Sequence, residues 1–175
     1  VRFVSHRDVA RAFDRAFRIE RLPLAFTEGF SPRPKVSFGL ALSVGHESEV
    51  EYLDVRLTDP VDLDALPGRL SAALPEGIDV TGAVLLADRA PALQESVTAV
   101  EWEIEVAARD GAAVTEGDVA DRIAAVLATT TLPVSRTRKG RQDTVDIRPA
   151  IRHLRVCGTG AHGPVLTAEI ATQPG

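Results

Sequence analysis

Four arginines near the start of the chain recur at the spacing of one helix face: Arg7, Arg11, Arg15 and Arg18. A helix over about residues 6–20 would place these guanidinium groups on one side. Its opposite side would carry an apolar stripe made of Val9, Phe13, Ala16 and Phe17. A row of cations suits a polyanion, although an ordinary surface helix also exposes a charged face.

A loop rich in proline follows the helix and adds two cations. It reads Gly29-Phe-Ser-Pro-Arg-Pro-Lys35 and contains Phe30, Arg33 and Lys35, with Phe38 just after it. Cations beside an exposed aromatic ring are what single-stranded RNA needs, since phosphates pair with guanidinium and bases stack on rings. We expect helix and loop to bring Arg7, Arg11, Arg33 and Lys35 together, with His6 at the edge. The alternative is that both phenylalanines belong to the core.

A second basic cluster lies in a hairpin predicted from Leu132 to Arg138 and from Thr144 to Arg148. Its cations are Arg136, Arg138, Lys139 and Arg141. A hairpin with a glycine at its tip and four cations can grip phosphates, whereas an edge hairpin can also carry charge simply to stay soluble.

The net charge of −5 hides an uneven distribution. Residues 1–35 hold eight Arg and Lys against four Asp and Glu, and residues 136–155 hold seven against two. Residues 36–135 hold five against eighteen. Two basic regions on an acidic body favour binding of RNA, while the acidic body could instead contact a protein.

His6 is the candidate catalytic residue. It lies at a helix N-terminus, where the dipole favours a neutral imidazole able to act as a general base. His46 stands near Glu47, Glu49 and Glu51, but this spacing matches no established metal site. We therefore predict no metal and no cofactor. Asp54 with Arg56, and Asp146 with Arg148, are predicted to form structural ion pairs on strands.

The predicted elements of residues 1–88 run strand, helix, strand, strand, helix, strand. The strands are expected at Arg2–Val4, Lys35–Leu42, Val50–Leu57 and Ile78–Ala87. This βαββαβ order is that of the ferredoxin-like fold.

Residues 98–175 repeat the order in part, after a connection over 89–97. Strands are expected at Val100–Val106 and Val165–Ala171, with a helix over about 116–129 and the basic hairpin between them. Residues 150–157 fit either a short helix or a strand. Leu53-Asp-Val-Arg56 matches Val145-Asp-Ile-Arg148. We predict an α+β chain of two tandem ferredoxin-like halves with antiparallel sheets, the second partly degenerate.

Composition narrows the class of protein further. No apolar run is long enough to cross a membrane, and Cys157 is the single cysteine, which favours a soluble protein of the reducing cytoplasm. The chain has no methionine, so we expect a fragment lacking its N-terminus.

Several segments resemble the radical SAM-linked family of domains of unknown function. They are Arg2–Asp8, Gly29–Phe38, Glu51–Val55 and Val145–Pro149, of which residues 29–35 are the most specific. Members of that family occur beside or fused to a radical SAM protein, often near an E/G-type ribonuclease. The resemblance therefore implies RNA modification or processing. A single cysteine cannot supply the three-cysteine cluster of a radical SAM enzyme, so that enzyme would be the partner.

The sequence thus predicts an RNA-binding accessory domain without catalytic activity of its own, acting with a radical SAM protein on tRNA or rRNA. Two alternatives stay open. One is a metal-independent RNA endonuclease with His6 as general base and Arg33 or Lys35 stabilising the charged intermediate. The other is a protein–protein interaction module.

Overall fold

The computed structural model describes residues 4–40, 43–138 and 140–172, with Arg138 described by its backbone alone. The chain divides into two compact units, Val1–Ser96 and Val97–Gly175, each built from helices and antiparallel strands. The α+β class predicted from the sequence is therefore confirmed. No helix among the described residues is long and apolar enough to cross a lipid bilayer.

The described part of the first unit contains these elements: α1 (His6–Ile19), β1 (Val36–Phe38), β2 (Leu53–Val55), α2 (Leu66–Ala73) and α3 (Leu93–Ser96). β1 and β2 pair antiparallel, with Val36 opposite Val55. Two isolated bridges extend this pairing, Leu24 with Leu57 and Phe26 with Pro34. The chain around residues 24–26 therefore joins the edge of the sheet.

α1 begins where Ser5 caps its first turn. The Ser5 hydroxyl accepts a hydrogen bond from the Asp8 backbone N–H at 3.3 Å and donates one to the Asp8 carboxylate at 2.6 Å. This bond to Ser5, helped by the nearby charge of Arg11, holds the pKa of Asp8 below its ordinary value. The predicted helix of about residues 6–20 is confirmed, and its apolar side buries Phe13 and Phe17.

The core of the first unit forms where α1 and α2 meet the sheet. Phe13, Ala16 and Phe17 pack with three leucines from α2 and its C-terminal end, Leu66, Leu70 and Leu74. The strands contribute Val36, Phe38, Leu53 and Val55. Because side chains alternate across a strand, the middle residue of each strand, Ser37 in β1 and Asp54 in β2, faces away from α1.

The described part of the second unit contains these elements: β3 (Ala99–Glu105), α4 (Glu116–Ala128), β4 (Pro133–Arg138), β5 (Arg141–Asp146), a 3-10 turn (Arg148–Ala150), β6 (Ile151–Thr159) and β7 (Pro164–Ala171). One sheet has the strand order β3-β7-β6, and β4 and β5 form a separate hairpin. α4 packs on β6 and β7 and buries Val119. A capping box between Thr115 and Asp118 starts α4, as its spacing predicts.

The strand predicted over Ile78–Ala87 is wrong, because this segment is irregular. Ile78 and Val80 pack against the core, whereas Val84 and Leu85 are 80% and 86% exposed. An apolar run forms a strand only where a neighbouring strand takes its backbone hydrogen bonds, and no described residue pairs with this segment. The strand predicted at Arg2–Val4 lies mostly outside the described residues, and Val4 itself is not in a strand.

The second unit departs from the ferredoxin-like order after its hairpin. Residues 150–157, which fitted either a helix or a strand, lie mostly in β6. A register shift between Ile151 and His153 lets Ile151, Leu154 and Val156 all lie half-buried while β6 pairs with β7. The unit therefore runs strand, helix and four strands, and the two tandem ferredoxin-like halves are not confirmed.

Candidate nucleic-acid interface

The arginines of α1 line its solvent face, as their spacing predicts. Arg11 pairs with Asp8 at 3.4 Å and Arg18 with Asp14 at 2.5 Å, in exposed ion pairs one turn long. Such pairs contribute about 0–1 kcal/mol and partly neutralise the face. The arginines of α1 without an ion pair to any described residue are Arg7 and Arg15.

His6 lies on the apolar side of α1, seven residues before Phe13 and so about two turns away. Its ring packs edge-on against Phe38, with ring centroids 5.1 Å apart. Phe38 in turn lies 6.2 Å from Phe13. His6 therefore extends a row of core aromatic rings and does not stand at the edge of the arginine face. The position expected for it is wrong.

The loop after α1 forms a small hairpin whose tip holds Phe30. The Thr27 backbone N–H donates to the Arg33 carbonyl at 2.9 Å, and the Arg33 backbone N–H donates to the Thr27 hydroxyl at 3.0 Å. Gly29 takes a φ of +124°, which lets the chain reverse. Phe30 is fully exposed, at 110% of its reference area. The hairpin thus presents a phenyl ring to solvent on a braced support.

Three chain segments meet at the base of this hairpin. The Ala25 N–H donates to the Arg56 carbonyl at 2.8 Å, the Arg56 N–H to the Lys35 carbonyl at 3.0 Å, and the Lys35 N–H to the Ala25 carbonyl at 2.8 Å. These bonds close a ring in which each residue donates to one neighbour and accepts from the other. The backbones of Lys35 and Arg56 are therefore fixed beside each other.

Strand alternation decides on which side these cations lie. Val36 and Phe38 pack toward α1, so Arg33, Lys35 and Ser37 point to the opposite side of the sheet, where all three are exposed. The arginines of α1 face away from the sheet on the other side. The structure therefore does not bring Arg7 and Arg11 together with Arg33 and Lys35.

The basic hairpin of the second unit forms as predicted from β4 and β5. Arg136 lies opposite Asp143 and pairs with it at 3.3 Å, with both side chains about half exposed. Arg141 is exposed. Lys139 and the side chain of Arg138 lie outside the described residues. The structure therefore describes the side chains of two of the four predicted cations, Arg136, which is paired with Asp143, and Arg141, which is exposed.

Asp146 and Arg148 do not form the ion pair predicted for them. Asp146 accepts hydrogen bonds from the backbone N–H groups of Leu132 at 2.6 Å and Arg148 at 3.0 Å. The Arg148 guanidinium donates to three carbonyl oxygens, at 3.0, 3.2 and 3.3 Å, those of Leu127, Thr129 and Ile151. Two of these carbonyls belong to the C-terminal end of α4. Both side chains therefore organise backbone, a role the spacing did not reveal.

The corresponding arginine of the first unit, Arg56, is exposed, whereas Arg148 is bonded to backbone carbonyls. Asp54 and Arg56 also form no ion pair, so that prediction is wrong as well. Asp54 is half-buried opposite Ser37, whereas the Arg56 side chain is exposed. Arg56 was not among the predicted site residues, although it stands next to Lys35.

Comparison with known protein families assigns nearly the whole chain to one family. A family model described as an uncharacterized protein conserved in bacteria, DUF2344, matches residues 1–173. The chain belongs to the DUF2344 family. No curated protein and no solved structure matches it. Because the DUF2344 match spans both units, it includes the exposed hairpin of the first and the Asp146–Arg148 turn of the second.

The DUF2344 chain has an acidic strand on the exposed face of its larger sheet. Glu101, Glu103 and Glu105 line β3 on that face, and only the opposite edge carries cations, Arg155 among them. A groove of 790 Å³ between α4 and the segment before it is lined mainly by alanine and valine side chains, and its charged residues are Asp110, Asp118, Asp121 and Arg122. Carboxylates repel phosphates, so neither surface suits RNA.

The described part of the DUF2344 chain contains no three His, Cys, Asp or Glu side chains grouped closely enough to hold a metal ion. His46, considered above with its neighbouring glutamates, has Nδ1 3.1 Å from the Ser43 carbonyl oxygen. This contact belongs to the local turn. The strongest cluster for binding chemistry is therefore the hairpin with Phe30, Arg33 and Lys35.

Proposed function

We propose that this DUF2344 chain is an RNA-binding accessory domain that acts in the cytoplasm with a radical SAM protein, in the modification or processing of tRNA or rRNA. The bound RNA is single-stranded where it meets the hairpin, since only an unstacked base can lie on a side chain.

The exposed Phe30 carries the proposal. Burying a phenylalanine side chain is worth about 1.5–3 kcal/mol, a stabilisation that the free protein forgoes while Phe30 stands in water at the braced tip. Stacking of a base on such a ring recovers about 1–3 kcal/mol. Arg33 and Lys35 stand on the adjoining arm without an ion pair to any described residue, and they supply contacts to the phosphates.

The radical SAM partner rests on the resemblance of the Gly29–Phe38 and Val145–Pro149 segments. A radical SAM enzyme holds its iron–sulfur cluster with cysteines. This chain has the single Cys157, which is exposed, so the cluster would belong to the partner protein. The proposed division of labour is that this chain holds the RNA and the partner performs the chemistry.

A protein-interaction module is the second candidate, and one observation favours it. Three consecutive apolar side chains, Val84, Leu85 and Leu86, are 52–86% exposed. Contiguous exposed apolar residues often mark contacts with other proteins. The nuclease alternative receives no support, because the candidate base His6 packs against Phe38 and lies away from Arg33 and Lys35.

Binding of a labelled single-stranded RNA, followed by fluorescence anisotropy between about 50 and 200 mM salt, tests the function. Phe30→Ala should weaken binding about 5- to 150-fold, and Phe30→Trp should retain it. Arg33→Gln with Lys35→Gln should lower the slope of log affinity against log salt by about 1.4, since each phosphate contact on a single strand contributes about 0.7.

The matched control removes the same charge from the other side of the unit. Arg7→Gln with Arg15→Gln also deletes two exposed cations that lack an ion pair to described residues. This variant should keep the wild-type affinity and slope. Absence of RNA binding at low salt, or equal losses in the two double variants, would refute the hairpin as an RNA site and leave the protein-interaction module in its place.

A further inference from the structure

Arg56 faces Lys35 across the sheet of the first unit. The register Val36 opposite Val55 places Lys35 opposite Arg56, and the Arg56 N–H donates to the Lys35 carbonyl at 3.0 Å. The Lys35 N–H donates to the Ala25 carbonyl, so Lys35 and Arg56 share one of the two hydrogen bonds of an antiparallel pair, just beyond the end of the β1–β2 ladder. A guanidinium and an ammonium therefore start from neighbouring backbone positions.

Both side chains point into solvent on the same side. Val36 and Val55, next to them, pack toward α1, so Lys35 and Arg56 point away from it, and both are exposed. Arg33, two residues before Lys35 on the arm that leads to the hairpin tip, is exposed as well. The three cations form a short row from the base of the hairpin toward Phe30.

No described carboxylate forms an ion pair with the cations of this row. Asp54, opposite Ser37, lies on the same face two residues from Arg56, and it makes no ion pair within 4.0 Å with Lys35 or Arg56. Like charges directly opposite each other in a sheet are destabilising. The ring of three backbone hydrogen bonds through Ala25 prevents relief by a slip of register. The fold therefore maintains an unfavourable cation pair that an anion would relieve.

We infer that Lys35 and Arg56 together hold a phosphate group, and that in the bound state this phosphate belongs to the RNA strand whose base stacks on Phe30. The inference rests on the proposed function and adds Arg56 to the site. Arg56 offers two parallel N–H donors to the phosphate oxygens, and Lys35 offers a point charge. Arg33 meets a phosphate nearer the tip.

Two probes test this site, inorganic tripolyphosphate and the single-stranded RNA. In NMR titrations, tripolyphosphate should shift the backbone amides of Lys35 and Arg56. Arg56→Gln should weaken this binding about tenfold, and Arg56→Lys should recover part of it. Arg15→Gln, which removes an exposed cation from α1, should change nothing. Unshifted amides at these positions, or equal losses in Arg56→Gln and Arg15→Gln, would overturn the site.

A double-mutant cycle measures the coupling between Lys35 and Arg56, which should depend on anion only if the two residues bind it together. At low salt and without anion, Lys35→Gln and Arg56→Gln should each raise the urea midpoint, and the pair should show a repulsive coupling. With tripolyphosphate present, the coupling should become attractive. A coupling of the same sign in both conditions would contradict the inference.

The same variants separate this inference from the proposed function. If Phe30→Ala loses RNA affinity but Arg56→Gln keeps it, the function stands and the Lys35–Arg56 site is wrong. If the wild type binds tripolyphosphate through Arg56 but binds no RNA, the phosphate site stands and the RNA function is wrong.

Discussion

Replacing Arg148 with alanine removes three hydrogen bonds from a charged donor to backbone carbonyls. Each such bond contributes about 1.5–3 kcal/mol when its acceptor is shielded from water. Of the three acceptors, only the bond to Ile151 lies in a partly buried setting, so the carbonyls of Leu127 and Thr129 can bind water instead. Allowing for that hydration, we expect the free energy of unfolding to fall by about 2–4 kcal/mol.

The single tryptophan provides the assay. Trp102 lies in β3 of the second unit, so its fluorescence follows the unfolding of the unit that contains Arg148. With a urea dependence of about 1.5–2 kcal/mol per molar, a loss of 3 kcal/mol lowers the midpoint by about 1.5–2 M. Arg148→Lys should fall in between, since one ammonium cannot reach all three carbonyls in the same geometry.

Arg152 supplies the matched control. It is an arginine of the same unit whose exposed ion pair with Glu169 spans 3.3 Å, and Arg152→Ala should cost less than about 1 kcal/mol. If the losses for Arg148→Ala and Arg152→Ala agree within about 0.5 kcal/mol, the account of Arg148 as the residue that closes the end of α4 is refuted.

Two further changes test the local structure of the second unit. Thr115→Ala should destabilise it by about 1 kcal/mol in urea unfolding, because the hydroxyl that caps α4 is lost. The Thr115 hydroxyl also holds the pKa of Asp118 below its ordinary 3.8. The ionised Asp118 carboxylate therefore stabilises the fold above pH 3.8, and this contribution disappears as the pH falls through the lower pKa of the folded state. Thr115→Ala should make the free energy of unfolding less dependent on pH in this acidic range. Gly163→Ala should destabilise the turn between β6 and β7, because Gly163 has a φ of +154° and its added methyl group would overlap the Val106 carbonyl oxygen; an unchanged urea midpoint would contradict this.

Elements with strong local signals could be predicted from the sequence. α1 and α4 begin and end within one residue of their predicted bounds, since each combines a capping residue with an apolar face of helical period. The segment Ile78–Ala87 shows where this reasoning fails. Its apolar residues suit a strand, but a strand also requires a partner, and local pattern contains no information about partners.

In the candidate site, too, local pattern predicts some positions, whereas others depend on which strands pair. Helical spacing placed the arginines of α1 on the solvent face correctly, and it could also have placed His6 with Phe13 on the apolar side. Alternation could have put Arg56 on the exposed face of its strand. That Arg56 stands beside Lys35 depends on pairing between segments about twenty residues apart, which only the register shows.

Two similar tetrapeptides show that the groups around an arginine determine whether it stabilises the fold or binds a ligand. Leu53-Asp-Val-Arg56 and Val145-Asp-Ile-Arg148 are similar in sequence, yet the donors of Arg148 are taken by three carbonyls, whereas the Arg56 side chain is exposed beside another cation. An arginine whose donors are satisfied internally stabilises the fold and has little left to offer a ligand. An arginine held against a like charge does the opposite, because it lowers stability until an anion arrives. The same substitution at the two positions should therefore have opposite effects on stability: loss of Arg148 lowers the urea midpoint, whereas loss of Arg56 raises it in the absence of anion and weakens anion binding.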